Sequence, residues 1–122
     1  MVNALILLLV SDTVGRLVMQ ETLEHGGYVV MAAGDLGTAV KRMAEAEPNL
    51  LIISPYIEDI SGYEAATFLR TKCHGLRVLM LGGLIADDRL QNRLTLEGFE
   101  IFPKPFPADA LLAKVQEVLS PK

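Results

Sequence analysis

Ser54 stands at the end of an apolar run, Leu50-Leu51-Ile52-Ile53, and is followed at once by Pro55. A serine so placed can cap a strand, line a pocket or act as a nucleophile. Nucleophilic work needs a general base, because the hydroxyl pKa lies far above that of a carboxylic acid, and no base is evident beside Ser54. Three other apolar runs end in short polar or glycine segments: Ser11-Asp12, Gly82-Gly83 and Pro103-Lys104-Pro105. Opposite charges favour each other's ionised forms, so Asp12 and Lys104 can neutralise one another directly, or Lys104 can bond Ser54. Asp12 also suits the N-cap of a following helix, where a carboxylate accepts backbone N–H bonds and meets the positive end of the dipole. His25 and His74 sit beside glycines at expected helix ends, where a cation suits the dipole better than catalysis. Cys73 has no basic neighbour to lower its thiol pKa.

The elements that must hold these groups follow from periodicity and from turn residues. Ala4 to Val10 and Leu50 to Ile53 are apolar without alternation, as parallel strands covered on both faces should be. Pro55 cannot donate to a ladder, so the second of these runs stops there. Ser11-Asp12-Thr13 caps a helix from about Val14 to His25, with Val14, Val18 and Thr22 on one row and Met19 and Leu23 beside it, and Gly26-Gly27 ends it. That stripe is expected to be core. A strand over Tyr28 to Ala33, a helix over about Leu36 to Ala46 burying Ala39, Val40 and Met43, and a stop at Pro48 come next. Beyond Ser54, a loop over Pro55 to Ser61 leads through Gly62 into a third helix reaching about Lys72. A strand over Leu76 to Leu81, a fourth helix over about Asp87 to Glu97, a strand over Phe99 to Phe102 and a helix opening near Pro107 complete the chain. Pro107 suits a first helical turn, and Leu111, Leu112, Val115, Val118 and Leu119 form the last helix's stripe. Strand and helix alternate five times. Connections of this kind are right-handed crossovers, which makes the sheet parallel and the fold a three-layer α/β sandwich. In such sheets ligands lie beyond the carboxyl ends of the strands, where Ser11, Asp12, Ser54, Gly82 and Lys104 fall.

Bulk properties narrow the function classes. The 122 residues fit one domain, read as residues 1–119, with residues 120–122 as the start of a linker. Lys plus Arg number 11 against 15 Asp plus Glu, a formal net charge of -4 with no basic stripe, which argues against nucleic-acid binding by this domain. Hydrophobic residues make up 51%, but the longest apolar run is far short of the ~18 residues of a membrane span. It has neither a basic segment before it nor a cleavage pattern after it, so it does not read as a secretory signal. The single cysteine excludes an internal disulfide and a cysteine zinc cage, and fits the cytoplasm.

The five-fold alternation, the acid after the first strand, the Gly62-Tyr63-Glu64 opening of the third helix and the Pro103-Lys104-Pro105-Phe106 segment resemble a response-regulator receiver domain of two-component signalling. The resemblance covers essentially the whole chain. It implies a flavodoxin-like receiver fold with a five-stranded sheet of order 2-1-3-4-5 and five helices. It also implies a pocket in which a carboxylate pair and a third, phosphoaccepting aspartate hold Mg²⁺ while a hydroxyl and a lysine hold the phosphate. Carried over by position, the first acid is Ser11, the second Asp12, the phosphoacceptor Ser54, the hydroxyl Gly82 and the lysine Lys104; the switch aromatic becomes Ile101, with Phe102 beside it.

Those departures matter chemically. Mg²⁺ takes oxygen ligands, usually including carboxylates, and Asp12 is the one acid left to it, so binding is expected to be feeble or absent. Pro55 offers no N–H and Gly82 no hydroxyl to a phosphate. The expectation is a degenerate pseudo-receiver: no enzyme, no cofactor, but a phosphorylation-independent interaction module. Its partners would be proteins of a bacterial-type signalling pathway or a linked effector domain. Leu84, Ile85 and Leu90, on the face built by the fourth helix, fifth strand and last helix, are the candidate surface, which could also form a homodimer. Two alternatives stand beside it. One is a conventional receiver phosphorylated at another residue, such as Asp59. The other is a flavodoxin-type small-ligand domain using Ser11, Thr13 and Gly15 as a phosphate cradle.

Overall fold

In the strands, successive side chains point to opposite faces, so a run apolar at every position must be covered on both. The computed structural model, which describes residues 4–81, 96, 98–102 and 107–120, has this arrangement. The main strands are β1 (Leu5–Leu9), β2 (Val29–Ala33), β3 (Leu50–Ile53), β6 (Arg77–Leu81) and β7 (Phe99–Phe102). They pair in parallel in the order β2-β1-β3-β6-β7, as the receiver resemblance implies. Leu7, Leu9, Leu51, Ile53, Val78 and Met80 face one core cluster, which α2 (Leu36–Glu45) and α3 (Gly62–Arg70) cover with Ala39, Met43, Ala65, Ala66 and Leu69. Ile6, Leu8, Leu50, Ile52, Leu79 and Leu81 face the other. There α1 (Thr13–His25) contributes Met19 and Leu23, and α4 (Ala108–Leu119) contributes Leu111 and Val115. Each fully buried Leu or Ile of this set contributes roughly 1.5–3 kcal/mol of transfer free energy, and β1 and β3, with four fully buried residues each, are sealed on both sides. Of the fourth predicted helix only Leu96, helical and exposed, lies among the described residues.

Small polar residues start three of the helices. Asp12 accepts the Gly15 N–H at 2.7 Å, Asp35 the Thr38 N–H at 2.7 Å, and Ser61 the Glu64 N–H at 3.1 Å. α1 stops at Gly26, and the next residue, Gly27, takes φ 94, a left-handed backbone that side-chain-bearing residues avoid. Pro107 caps α4 from just outside it rather than occupying its first turn.

Two expectations are corrected. Residues 55–61 form no simple loop but a tight hairpin, β4 (Tyr56–Ile57) against β5 (Ile60–Ser61), turning at Glu58 with φ 54. The Val14 and Val18 row of α1 is not core: Val14 is 69% exposed and Val18 57%, while Met19 and Leu23 alone turn fully inward. Both rows of α1 are apolar, so periodicity could not choose between them; docking on β1 and α4 does.

Arg70, at the end of α3, ties distant pieces together. Its Nε donates to Leu76 O at 3.0 Å and its Nη2 to Gly98 O at 3.2 Å, while its guanidinium stacks over the Phe99 ring at 4.5 Å. Tyr63 meets the same ring edge-on at 5.3 Å. Lys114 of α4 joins β7 through Glu100 at 3.2 Å and pairs with Glu117 at 3.3 Å. Among the described residues no helix is long and apolar enough to cross a membrane.

Candidate functional site

β3 carries Ser54 to the carboxyl edge of the sheet. The Ser54 N–H still donates to Leu9 O at 3.0 Å, one ladder bond past the strand, and Pro55 ends the series because it has no N–H to give. The Ser54 side chain is therefore held at the strand end, only 8% exposed, and is the one buried polar residue described. Its Oγ accepts the Ser11 N–H at 3.3 Å, so the two positions that open and close this edge of the site are joined directly.

The hairpin folds back under Ser54. The Gly62 N–H donates to Pro55 O at 2.6 Å, and a Cβ at Gly62 would lie 2.3 Å from Ser54 O. Only glycine lets α3 begin so close to the strand end.

Asp12 has extended backbone and turns its carboxylate onto its own helix, Oδ2 accepting the Gly15 N–H. A Cβ at Gly15 would come 2.8 Å from that oxygen. Arg16 then reaches back to Val10 O at 2.7 Å and lies against Gly34. Its charge is one of the influences holding the Asp35 carboxyl below its ordinary range; the Thr38 N–H is the largest, then the Thr38 side chain, with Lys41 also contributing. Nothing in the sequence flags Arg16 as a neighbour of the site, since an arginine in a first helical turn has no distinguishing pattern.

These elements frame a crevice of about 590 Å³. Val10, Ser11, Asp12, Val14, Gly15, Val18, Met19, Ser54, Pro55, Tyr56 and Leu81 are its described walls. Ile101 does not belong to it. It packs on the α2 and α3 face, whereas Phe102, one residue on, packs on the α1 and α4 face, so Phe102 cannot stand in for it. Asp59 is exposed in the hairpin turn. Cys73 is buried, its thiol directed at Pro48 O at 3.8 Å, and burial followed by the charge of Glu47 pushes its pKa up. Gly82, Lys104, Leu84, Ile85 and Leu90 lie outside the described residues, and so does any pairing of Lys104 with Asp12 or Ser54.

Known proteins share this architecture. Residues 6–116 match the response regulator receiver domain model. The probable transcriptional regulatory protein TcrX of Mycobacterium tuberculosis is 27% identical over 80% of this chain and 42% of its own length. Response regulator MprA of Mycobacterium leprae is 28% identical over 89% of this chain and 48% of its own. The chain thus spans about half the length of these relatives. Among solved structures, the chemotaxis protein CheY4 of Vibrio cholerae superposes with a TM-score of 0.85 at 23% identity, covering 97% of this chain and all of its own. NtrX of Brucella abortus gives 0.83 at 20% identity over 97% of this chain and 27% of its own, a likeness of fold. With the β2-β1-β3-β6-β7 sheet, a family match over nearly the full sequence and a crevice at the strand ends, the chain belongs to the response regulator receiver domain family of two-component systems.

Proposed function

We propose that this receiver domain is a pseudo-receiver, signalling through protein binding without phosphorylation at its strand-end position. The observation that carries the reading is Ser54 itself: a neutral hydroxyl, nine-tenths buried, already accepting the Ser11 N–H, where a receiver needs an ionised carboxylate. The donor set does not fit Mg²⁺ either. Asp12 is the single carboxylate among the described crevice residues, and its Oδ2 is engaged by Gly15. One capped acid beside two serines is a poor match for a hard, octahedral cation. No cofactor and no catalytic residue is assigned. Asp59 makes a poor substitute acceptor, because it sits in the exposed turn of the β4–β5 hairpin rather than at the strand end.

The partner class is a protein of a cytoplasmic signalling pathway or a linked effector domain, since the receiver matches about half of the TcrX and MprA chains. β7 and α4, which carry Glu100, Lys114 and Glu117, form the described part of the expected partner and dimer face. Incubation with acetyl phosphate and Mg²⁺, followed by intact mass measurement, tests the reading. The mass should stay unchanged; a stoichiometric phosphoryl adduct lost in the Ser54→Ala variant would refute it.

A further inference from the structure

We propose that the strand-end crevice binds a small, uncharged, mostly apolar molecule that presents a carbonyl-type acceptor to Ser54. The proposal rests on the phosphorylation-independent reading and says what the altered pocket takes instead. Its volume of about 590 Å³ lies within the roughly 300–1,000 Å³ of small-molecule sites, which are mainly apolar with a few placed polar groups.

The walls have that character. Met19 and Leu81 form a buried floor; Pro55 closes one side; Val14, Val18 and Tyr56 make a rim that is apolar yet 69%, 57% and 71% exposed. Covering such a rim removes apolar surface from water, which is favourable. Among the described lining residues Asp12 is the only carboxylate, and it is turned to Gly15. Against these described walls a second anion would meet that charge, and a cation would find one acid already capped, so a neutral ligand fits them best.

Ser54 supplies the polar handle. A hydroxyl is one donor and two acceptors, and this one accepts from Ser11 while its own hydrogen has no acceptor among the described residues. Water entering the crevice can accept from it, and a ligand carbonyl that takes the place of that water keeps the bond, whereas an apolar ligand loses it.

Coumarin and naphthalene have nearly the same two-ring outline, but only coumarin has a carbonyl, which makes them matched probes for NMR titration of amide- and methyl-labelled protein. Coumarin should give saturable shifts at the Val14, Val18, Met19 and Leu81 methyls and at the Ser11 and Ser54 amides, and bind more tightly than naphthalene. Ser54→Ala should weaken coumarin about two- to tenfold, one hydrogen bond's net worth, and leave naphthalene unchanged. Val14→Asp, at an exposed position, should weaken both. Absent or unsaturable shifts, shifts centred on the opposite pole near Cys73 and Arg77, or an unaltered coumarin affinity in Ser54→Ala would overturn the proposal. A separate arm with Mg²⁺ and beryllofluoride keeps the two readings apart. Saturable shifts there refute phosphorylation independence, whereas a silent beryllofluoride arm with failed coumarin binding refutes the ligand site alone.

Discussion

Replacing Gly62 by alanine places a methyl group where the backbone of Ser54 already is. The new Cβ would lie 2.3 Å from Ser54 O and 3.3 Å from Pro55 O, against 3.4–4 Å for ordinary contact. The obstructing atoms are main chain at the end of β3, locked by the Ser54 N–H bond to Leu9 O and the Gly62 N–H bond to Pro55 O, so no flexible side chain can swing away. Relief requires α3 or the strand end to move by about an ångström, and overpacking of this kind costs roughly 1–3 kcal/mol. Alanine returns something as the better helix former, at most about 1 kcal/mol and less at a first helical position. The net expectation is a loss of about 1–2 kcal/mol, or a Tm lower by roughly 4–8 °C for a domain of this size. Urea unfolding followed by circular dichroism gives the free energy, and the Ser11 and Ser54 amide shifts report whether the strand end moved. Gly15→Ala is the comparison: its nearest obstacle is the Asp12 side chain at 2.8 Å, which can rotate at the loss of its cap bond to the Gly15 N–H, so its cost should be that of an N-cap, about 1 kcal/mol, with the Ser54 resonances unmoved. Equal stability for Gly62→Ala and the parent, with unmoved Ser54 resonances, would show that α3 does not approach the strand as described.

Further outcomes follow from the same contacts. Ser61→Ala removes the α3 N-cap and its link to Glu64, and should cost about 1 kcal/mol in the same unfolding assay. Arg70→Lys keeps the charge, but an ammonium lacks the fork that reaches both Leu76 O and Gly98 O while stacking on Phe99; the Gly98 amide should lose hydrogen-exchange protection and the domain about 1–2 kcal/mol. The folded-state pKa of Asp35 lies below its ordinary 3.8, chiefly through the Thr38 N–H, so its contribution is present above 3.8 and lost as the pH falls through the lower folded value. Asp35→Asn should therefore lower stability at neutral pH, leave it unchanged below the folded value, and so flatten the acid limb between them. Cys73, buried and with its thiol pKa raised, should react with a thiol reagent far more slowly in native than in unfolded protein.

Which parts of the structure were legible in the sequence depends on which physical constraint was local. Unbroken apolar runs such as Leu50 to Ile53 require cover on both faces, and that requirement, with glycine and proline stops, predicts the order of the elements. The position of Ser54 was legible for the same reason, because Pro55 ends the ladder immediately after it. Three features were not. The burial of Met19 rather than Val14 and Val18 is decided by how α1 docks, and both rows are apolar. The β4–β5 hairpin turns at Glu58 and Asp59 rather than at glycine or asparagine, so it lacks the usual signature of a short turn. The Arg70 clamp joins groups separated in sequence, Leu76 and Gly98, which no local pattern pairs.

Amide NMR of the protein titrated with Mg²⁺ and beryllofluoride reports most directly what Ser54 does at the strand end. The neutral, engaged hydroxyl of Ser54 and the capped carboxylate of Asp12 predict that the Ser11, Asp12, Ser54 and Lys104 resonances stay where they are at saturating reagent. Saturable, Mg²⁺-dependent shifts at Ser54 and Lys104 would contradict the account and return this chain to the phosphorylated receivers.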